Sequence, residues 1–230
     1  MKHIWIIGTG GIALATYRLY SKRDDCSVRL IGRKEVQENN FAKVNSNDEG
    51  QISDFIIKNG IPDVVIVATG LLSNQSHGPE KTIASFTSDW FDENLKANFY
   101  PGVFWCKSLT AHLKRKDAIK FVILSARVGS ISDNQLGGWY SYRISKAALN
   151  MFVRNTANEW RYKYPQSIIL AYHPGTVDTN LSKPFQNSGI KKLFTPDEAA
   201  HNLKQNIDNL DDPKIWSGQL IDWRGDIVQP

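Results

Sequence analysis

The sequence predicts an α/β protein in which a doubly wound parallel sheet of about seven strands carries helices on both faces. Short runs of aliphatic and β-branched residues alternate with longer amphipathic segments along all 230 residues. The short runs are apolar almost throughout, as expected for strands that are covered on both faces. No linker-like segment or internal repeat divides the chain. We therefore expect residues 1–230 to fold as a single domain.

Seven segments have the length and composition of buried strands. They are residues 3–7, 28–32, 41–44, 64–68, 119–125, 167–173 and 219–223.

Between these segments, apolar residues recur at helical spacing. One stripe begins at Ile12 and another at Ile52, and the longest predicts one helix over residues 95–113. A late helix is predicted to begin at Thr195, because Thr195 and Glu198 have the spacing of a capping box and a proline lies in the first turn. Strand and helix therefore alternate from end to end.

The composition argues against several classes of protein. The net charge is +5, but the basic residues are scattered and form no stripe that would bind a nucleic acid. Only Cys26 and Cys106 are present, without metal-ligand spacing, which is typical of buried thiols in a reducing compartment. No apolar run approaches the ~20 residues of a membrane helix, and residues 1–7 are too short for a signal peptide. We expect a cytoplasmic protein without metal, nucleic acid or membrane contacts.

A glycine-rich turn follows the first predicted strand and begins the first predicted helix. The segment Gly8-Thr-Gly-Gly-Ile-Ala13 has the spacing G-x-G-x-x-A. In this pattern Gly8 permits a tight turn, Gly10 lets the backbone approach a phosphate, and Ala13 lets the helix pack closely on the strand. The N–H groups at such a helix start attract a pyrophosphate. The turn therefore predicts binding of a dinucleotide.

The end of the second predicted strand indicates which dinucleotide is bound. An NAD site usually places an Asp or Glu there to bind the ribose hydroxyls, whereas this chain has Arg33 and Lys34. A guanidinium binds a 2′-phosphate through charge-assisted hydrogen bonds. These residues favour NADP over NAD.

Tyr142 and Lys146 are separated by one helical turn in the run Trp139-Tyr-Ser-Tyr-Arg-Ile-Ser-Lys146. A phenol has a pKa near ~10 and transfers protons poorly at neutral pH. A cation next to it favours the phenolate and lowers that pKa. The pair is therefore a candidate proton donor and the group that tunes it.

The glycine turn, the Tyr-x-x-x-Lys pair and the later Pro174-Gly175 occur in an order that resembles the short-chain dehydrogenase/reductase family over nearly the whole chain. Residues 125–131, 140–146 and 173–179 are similar to the branch that contains the C-factor signalling proteins and the sniffer-type carbonyl reductases. The resemblance implies a Rossmann fold.

The resemblance also implies roles for individual residues. Tyr142 would exchange a proton with the substrate oxygen, and Lys146 would lower the pKa of Tyr142 and bind the nicotinamide ribose. Asn98 would hold a water of the proton relay, or would simply be a buried polar residue of a helix. Thr179 would bind the carboxamide. The implied cofactor site comprises Gly8, Gly10, Gly11, Ile12, Arg33, Asn45, Gly70, Asn98, Tyr142, Lys146, Pro174, Gly175 and Thr179.

The chain departs from the family pattern at three places. The glycine turn is one residue shorter, and the segment ending at Gly70 lacks the usual asparagines. Ala126 occupies the position of the serine that polarises the substrate carbonyl. Ser125 is the neighbouring candidate for this catalytic role, although on a strand its side chain would point the opposite way; Ser130 is the alternative.

Two functions remain open from the sequence. The first is an NADP(H)-dependent oxidoreductase that acts on a small carbonyl or alcohol substrate, and the second is a nucleotide-binding regulatory or signalling protein with weak or no catalysis. A sugar-nucleotide epimerase would need a larger C-terminal domain. The family implies a substrate lid over residues 180–195 and a homodimer or homotetramer formed through helices 95–113 and 142–162.

Aromatic residues suggest an apolar wall for the substrate. Phe185 and Phe194 belong to the predicted lid, and Trp139 lies three residues before Tyr142.

Overall fold

A computed structural model describes residues 1–186 and 192–230. Within these ranges, seven strands form one parallel sheet: β1 (Lys2–Ile7), β2 (Cys26–Gly32), β3 (Phe41–Lys43), β4 (Val64–Val67), β5 (Lys120–Leu124), β6 (Ile168–His173) and β9 (Leu220–Asp222). Two short strands, β7 (Thr176–Val177) and β8 (Leu193–Phe194), form a second parallel pair. All seven predicted strands are present, and the predicted fold class is confirmed.

The strand order of the large sheet is β3-β2-β1-β4-β5-β6-β9. The chain therefore proceeds outward from β1 in one direction and then returns to build the other half from β4. The place where the direction reverses, beside β1 and β4, is where doubly wound folds bind ligands at the carboxyl ends of their strands.

The helices of the described residues cover both faces of the sheet. They are α1 (Gly11–Ser21), α2 (Glu49–Asn59), α3 (Ser88–Asn98), α4 (Tyr100–Thr110), α5 (Tyr140–Lys163), α6 (Pro196–Asp208) and the short α7 (Pro213–Trp216). None of these described helices is long and apolar enough to cross a membrane.

The alternating side chains of β1 show why its apolar run is continuous. Ile4 and Ile6 are buried in a cluster with Tyr17 of α1 and residues of α6. Trp5 and Ile7 are buried on the other face, in a cluster with Trp105 of α4 and residues of α2 and α5. Because both faces are covered, the four buried positions of the strand are all apolar, whereas Lys2 and His3 at its start are not buried.

The helix predicted over residues 95–113 is instead two helices, and that expectation was wrong. The regular helix is interrupted at Phe99, where φ is −111° and ψ is −60°. Pro101 lies in the first turn of α4 and has no N–H to donate to the carbonyl of Ala97, while its ring would collide with that carbonyl in a continuous helix. The break therefore follows from one residue within an otherwise helical stripe.

Candidate active site

A cleft of about 650 Å³ opens at the carboxyl ends of β1, β2 and β4. Five of the predicted cofactor-binding residues line it: Gly8, Gly10, Arg33, Asn45 and Gly70. Several further lining residues are not among the predicted cofactor-binding residues, among them Thr9, Ser46, Asn47 and Lys96. These follow strand ends or lie on α3, and only the assembled sheet brings them together.

The glycine turn is closely packed at Gly8 and open at Gly10. Gly8 has a φ of +124°, and a Cβ atom placed on it would lie 2.9 Å from the carbonyl oxygen of Ala68. A Cβ on Gly10 would meet no atom within 4 Å. The turn therefore packs tightly against the end of β4 at Gly8 and presents open space on the cleft side at Gly10, where the first N–H groups of α1 begin. This arrangement fits a bound phosphate.

Gly11 joins the two halves of the site. A Cβ placed on Gly11 would lie 2.9 Å from the Cγ2 atom of Thr179. The glycine turn and the loop after β6 are therefore in contact, as the predicted shared role of both segments requires. Ile12 does not line the cleft; it packs against Val177 and Phe194.

Pro174 and Gly175 form the turn between β6 and β7. Pro174 is buried, and Gly175 has a φ of +79° that favours glycine. A Cβ on Gly175 would lie 2.7 Å from the ring of Phe194. Phe194 is 3% exposed and packs edge-on against Trp223. The Phe194 ring thus packs against this turn and against Trp223. The prediction that it forms part of the substrate wall was wrong.

Arg33 and Lys34 follow β2 at the rim of the cleft. Both side chains are exposed, and within residues 1–186 and 192–230 neither forms an ion pair. Two cations without an acidic partner lie beside the glycine turn. They fit a dinucleotide that carries a further negative charge besides its pyrophosphate.

Tyr142 and Lys146 lie on α5, near the carboxyl end of β5. Tyr142 is 8% exposed and Lys146 is 3% exposed. The Nζ atom of Lys146 donates to the carbonyl oxygen of Leu124 at 2.9 Å and lies 5.9 Å from the centroid of the Tyr142 ring. The end of β5 therefore fixes the amine next to the phenol.

Burial shifts the pKa values of the pair in opposite directions. Loss of hydration raises the pKa of Tyr142 to about 12 and lowers the pKa of Lys146 to about 7. The direction for Tyr142 is the reverse of the one expected from a neighbouring cation. At neutral pH the phenol is protonated, and the amine is close to its midpoint.

The lowered pKa of Lys146 predicts a pH-dependent contribution to stability. Between pH 7 and 10 the unfolded chain binds more protons than the folded protein at this group, so the free energy of unfolding gains up to about 1.4 kcal/mol per pH unit from it. Below pH 7 both states are protonated and the destabilisation is complete. The stability of wild type relative to Lys146→Met should therefore rise between pH 7 and 10 in urea titrations. A difference that is constant with pH would contradict the assigned burial.

Asn98 is 2% exposed at the end of α3. Its Oδ1 atom accepts from the N–H of Leu71 at 2.8 Å, and its Nδ2 atom donates to the carbonyl oxygen of Leu71 at 2.9 Å and to Asn94 Oδ1 at 3.1 Å. These contacts hold the segment after β4 against α3, next to Gly70. The relay role of Asn98 stays a prediction, and its observed contacts are those of a buried polar residue.

Both candidate serines donate to groups of the protein itself, and the catalytic role of Ser125 or Ser130 stays a prediction. The Ser125 hydroxyl donates to Asn150 Oδ1 at 2.7 Å, and the Ser130 hydroxyl donates to the carbonyl oxygen of Gln229 at 2.6 Å. Ala126 instead packs with Tyr142 and Leu72. The position that packs against the phenol thus carries a methyl group, because alternation along the chain directs the side chains of Ser125 and Ala126 in opposite directions.

The surroundings of Tyr142 are apolar. The centroid of the Trp139 ring lies 6.3 Å from that of Tyr142 and 5.6 Å from that of Phe185, and both pairs are edge-on. Leu181 belongs to the same cluster. Trp139 and Phe185 therefore lie beside Tyr142, and their role as a wall of the substrate site stays a prediction. Of the predicted lid, residues 187–191 lie outside the described residues, and its role as a lid stays a prediction.

Sequence reasoning missed Glu80. This carboxylate is buried at the start of α5, where it accepts hydrogen bonds from Ser141. No motif signals it, because Glu80 and Ser141 are 61 positions apart.

The sequence of this chain is similar to those of known proteins. A family model described as short chain dehydrogenase matches residues 2–188. A segment of 94 residues is 47% identical to 1-hydroxy-2-glutathionyl-2-methyl-3-butene dehydrogenase of Rhodococcus sp. (strain AD45), covering 41% of this chain and 40% of that relative. C-signal of Myxococcus xanthus is 36% identical over 112 residues, covering 48% of this chain and 61% of that relative. The matches therefore span less than two thirds of either relative's own length.

Among solved structures, the NADPH-bound carbonyl reductase from chicken fatty liver has a TM-score of 0.81. It is 20% identical and covers 100% of this chain and 99% of the chicken chain. At this identity the likeness shows a shared fold. The C-signal match confirms the predicted resemblance to the branch that contains the C-factor proteins.

Proposed function

Because this chain belongs to the short-chain dehydrogenase/reductase family, we propose that it transfers a hydride between NADP(H) and a small carbonyl or alcohol substrate. One observation carries the proposal: Tyr142 and Lys146 are buried side by side at the edge of the sheet that also forms the cleft and its glycine turn. A phenol held there, facing apolar residues, has the position of a proton donor.

The residues of the cleft support NADP(H) as the cofactor. The backbone of Gly8 and Gly10 would hold the pyrophosphate, and Arg33 with Lys34 would hold the 2′-phosphate. The chicken carbonyl reductase with the same fold carries NADPH. When bound, NADPH supplies the hydride. Thr179, in contact with Gly11, would lie on the nicotinamide side.

The chain's own contribution to the chemistry is proton transfer. In the reductive direction the Tyr142 hydroxyl would donate its proton to the substrate oxygen. At neutral pH the Tyr142 phenol is protonated, as a proton donor has to be. Lys146, held by Leu124, would orient the tyrosine and bind the ribose.

The proposal is tested by turnover of a panel of aliphatic and aromatic aldehydes and ketones with NADPH. Consumption of NADPH with at least one carbonyl supports it. NADPH binding without turnover across the panel favours the second candidate, a regulatory or signalling protein that retains the nucleotide site. The methyl group of Ala126 beside Tyr142 and the similarity to C-signal support that alternative.

The assignment of Arg33 makes a separate prediction. Arg33→Ala should raise the KM for NADPH by ~10–100-fold and leave the KM for NADH nearly unchanged, because only NADPH carries the phosphate that the guanidinium binds. The matched control is Arg23→Ala, since Arg23 is exposed and paired with Asp25 away from the cleft. Equal changes in both KM values would contradict the role of Arg33 at the 2′-phosphate.

Exposed apolar residues on α4 and α5 support the proposal of a homodimer or homotetramer. Ile144 and Met151 are 44% and 60% exposed. On α4 the rings of Tyr100 and Phe104 stack on each other while only partly buried. A second copy of the chain would cover these side chains.

A further inference from the structure

A buried carboxylate lies at the start of the helix that carries Tyr142 and Lys146. Glu80 is 4% exposed, in the segment between β4 and α3. Its two oxygens accept from the N–H of Ser141, each at 3.2 Å, and one also accepts from the Ser141 hydroxyl. Ser141 is the second residue of α5. The negative charge therefore lies at the positive end of the helix dipole, in the turn that contains Tyr142.

The backbone of Glu80 makes a second connection to the same region. Its carbonyl oxygen accepts from the N–H of Trp139 at 2.5 Å. Trp139 has a φ of 55°, in the left-handed region that residues with a side chain seldom adopt. Gly137 and Gly138 before it have φ values of 64° and 62°. Such strain persists only where neighbouring groups fix it, and Glu80 supplies one of the hydrogen bonds that do so.

The strained turn determines what surrounds the phenol. It places the Trp139 ring edge-on to Tyr142 and to Phe185. A shift of residues 137–139 would therefore move the apolar wall and the first turn of α5 together.

A gain in the stability of the fold does not by itself explain why the Glu80 carboxylate is buried. A buried carboxylate loses its hydration, and among residues 1–186 and 192–230 Glu80 has no cationic partner within ion-pair distance. Its compensation consists of the Ser141 N–H and hydroxyl groups and the helix dipole. Both sets of contacts converge on the residues that flank the start of α5.

We propose that Glu80 is a positioning residue of the active site. By binding Ser141 and Trp139, it fixes where the Tyr142 hydroxyl and the Trp139 ring lie relative to the substrate. It touches no reacting atom and transfers no proton. The inference rests on the proposed function, since the position of Tyr142 matters to the rate only if Tyr142 transfers the proton.

The kinetic test compares Glu80→Ala with Glu80→Gln. Glu80→Ala should lower kcat by ~10–100-fold, because displacements of about 1 Å have costs of this size, and should change the KM for NADPH by less than about twofold. Glu80→Gln keeps an acceptor oxygen for Ser141 and should restore most of the lost kcat. Asp212→Ala is the matched control: it removes a carboxylate cap from α7, which carries no site residue, and should leave both constants unchanged.

Hydrogen exchange gives a readout that does not depend on turnover. In Glu80→Ala the amide of Ser141, which loses its carboxylate acceptor, should exchange at least ~10-fold faster, while the amides of α6 keep their rates. Faster exchange throughout the protein, with parallel losses of kcat and NADPH affinity, would reduce Glu80 to a structural residue and overturn the inference.

The remaining outcomes separate the two proposals. Wild-type turnover that Glu80→Ala fully retains would overturn the positioning role alone. Absence of turnover by the wild type with every carbonyl of the panel would overturn the proposed function, and the positioning role with it.

Discussion

Tyr142→Phe is expected to lower kcat for carbonyl reduction by ~10²–10⁴-fold and to leave NADPH affinity nearly unchanged, because a positioned general acid contributes about this much. The substitution removes only the hydroxyl. The ring is 8% exposed and packs with Leu72 and Ala126, so a phenylalanine ring fills the same space. Steady-state kinetics at saturating NADPH give kcat, and titration of cofactor fluorescence gives the affinity.

Tyr140→Phe is the matched control for this variant. Tyr140 lies two residues earlier on α5, and its hydroxyl forms no hydrogen bond with the described residues. Its removal should leave kcat unchanged. Wild-type kcat in Tyr142→Phe would remove Tyr142 as the proton donor. A loss of NADPH affinity that matches the loss of rate would move its role from catalysis to binding.

Ala126→Ser is expected to raise kcat by ~10–100-fold. Hydrogen-bond donors at a developing oxyanion are worth about 10²–10³ in kcat, and a newly introduced donor gains part of this. The backbone at Ala126 is extended, with φ −150° and ψ 147°, and its side chain packs with Tyr142. A serine adds one oxygen at a site where the family uses that hydroxyl. The same carbonyl panel measures the gain.

Ser125→Ala separates the new hydroxyl from the existing one. The Ser125 hydroxyl is bonded to Asn150, so its loss should cost ~1 kcal/mol of stability and change kcat only slightly. Unchanged or reduced kcat in Ala126→Ser would show that the substrate oxygen is not within reach of position 126. A variant that turns over carbonyls that the wild type leaves untouched would support the regulatory alternative for the wild type.

The fold was predictable because its signals are local. Where a strand is covered on both faces, consecutive positions are apolar, as Ile4 and Trp5 show for β1. The glycine turn was equally predictable, since the φ of Gly8 and the open space at Gly10 depend on glycine itself. The boundary at Phe99 was also present in the sequence, as the proline two residues later, but the apolar stripe concealed it.

The parts of the site that could not be predicted depend on contacts between distant segments. From the sequence alone, Glu80 would be taken for an acidic residue on the surface. Its burial depends on the packing of α5 against its segment. Phe194 looks like a lid residue until the turn at Gly175 is seen to rest on its ring. The pKa of Tyr142 is raised by burial, and burial is a property of the assembled fold.

The contact between Gly11 and Thr179 has an evolutionary consequence. A Cβ on residue 11 would lie 2.9 Å from the Thr179 methyl group. A larger residue at 11 therefore fits only when that methyl group is lost or moves. Evolution at position 11 is in this way coupled to position 179, although the two are 168 positions apart in the chain.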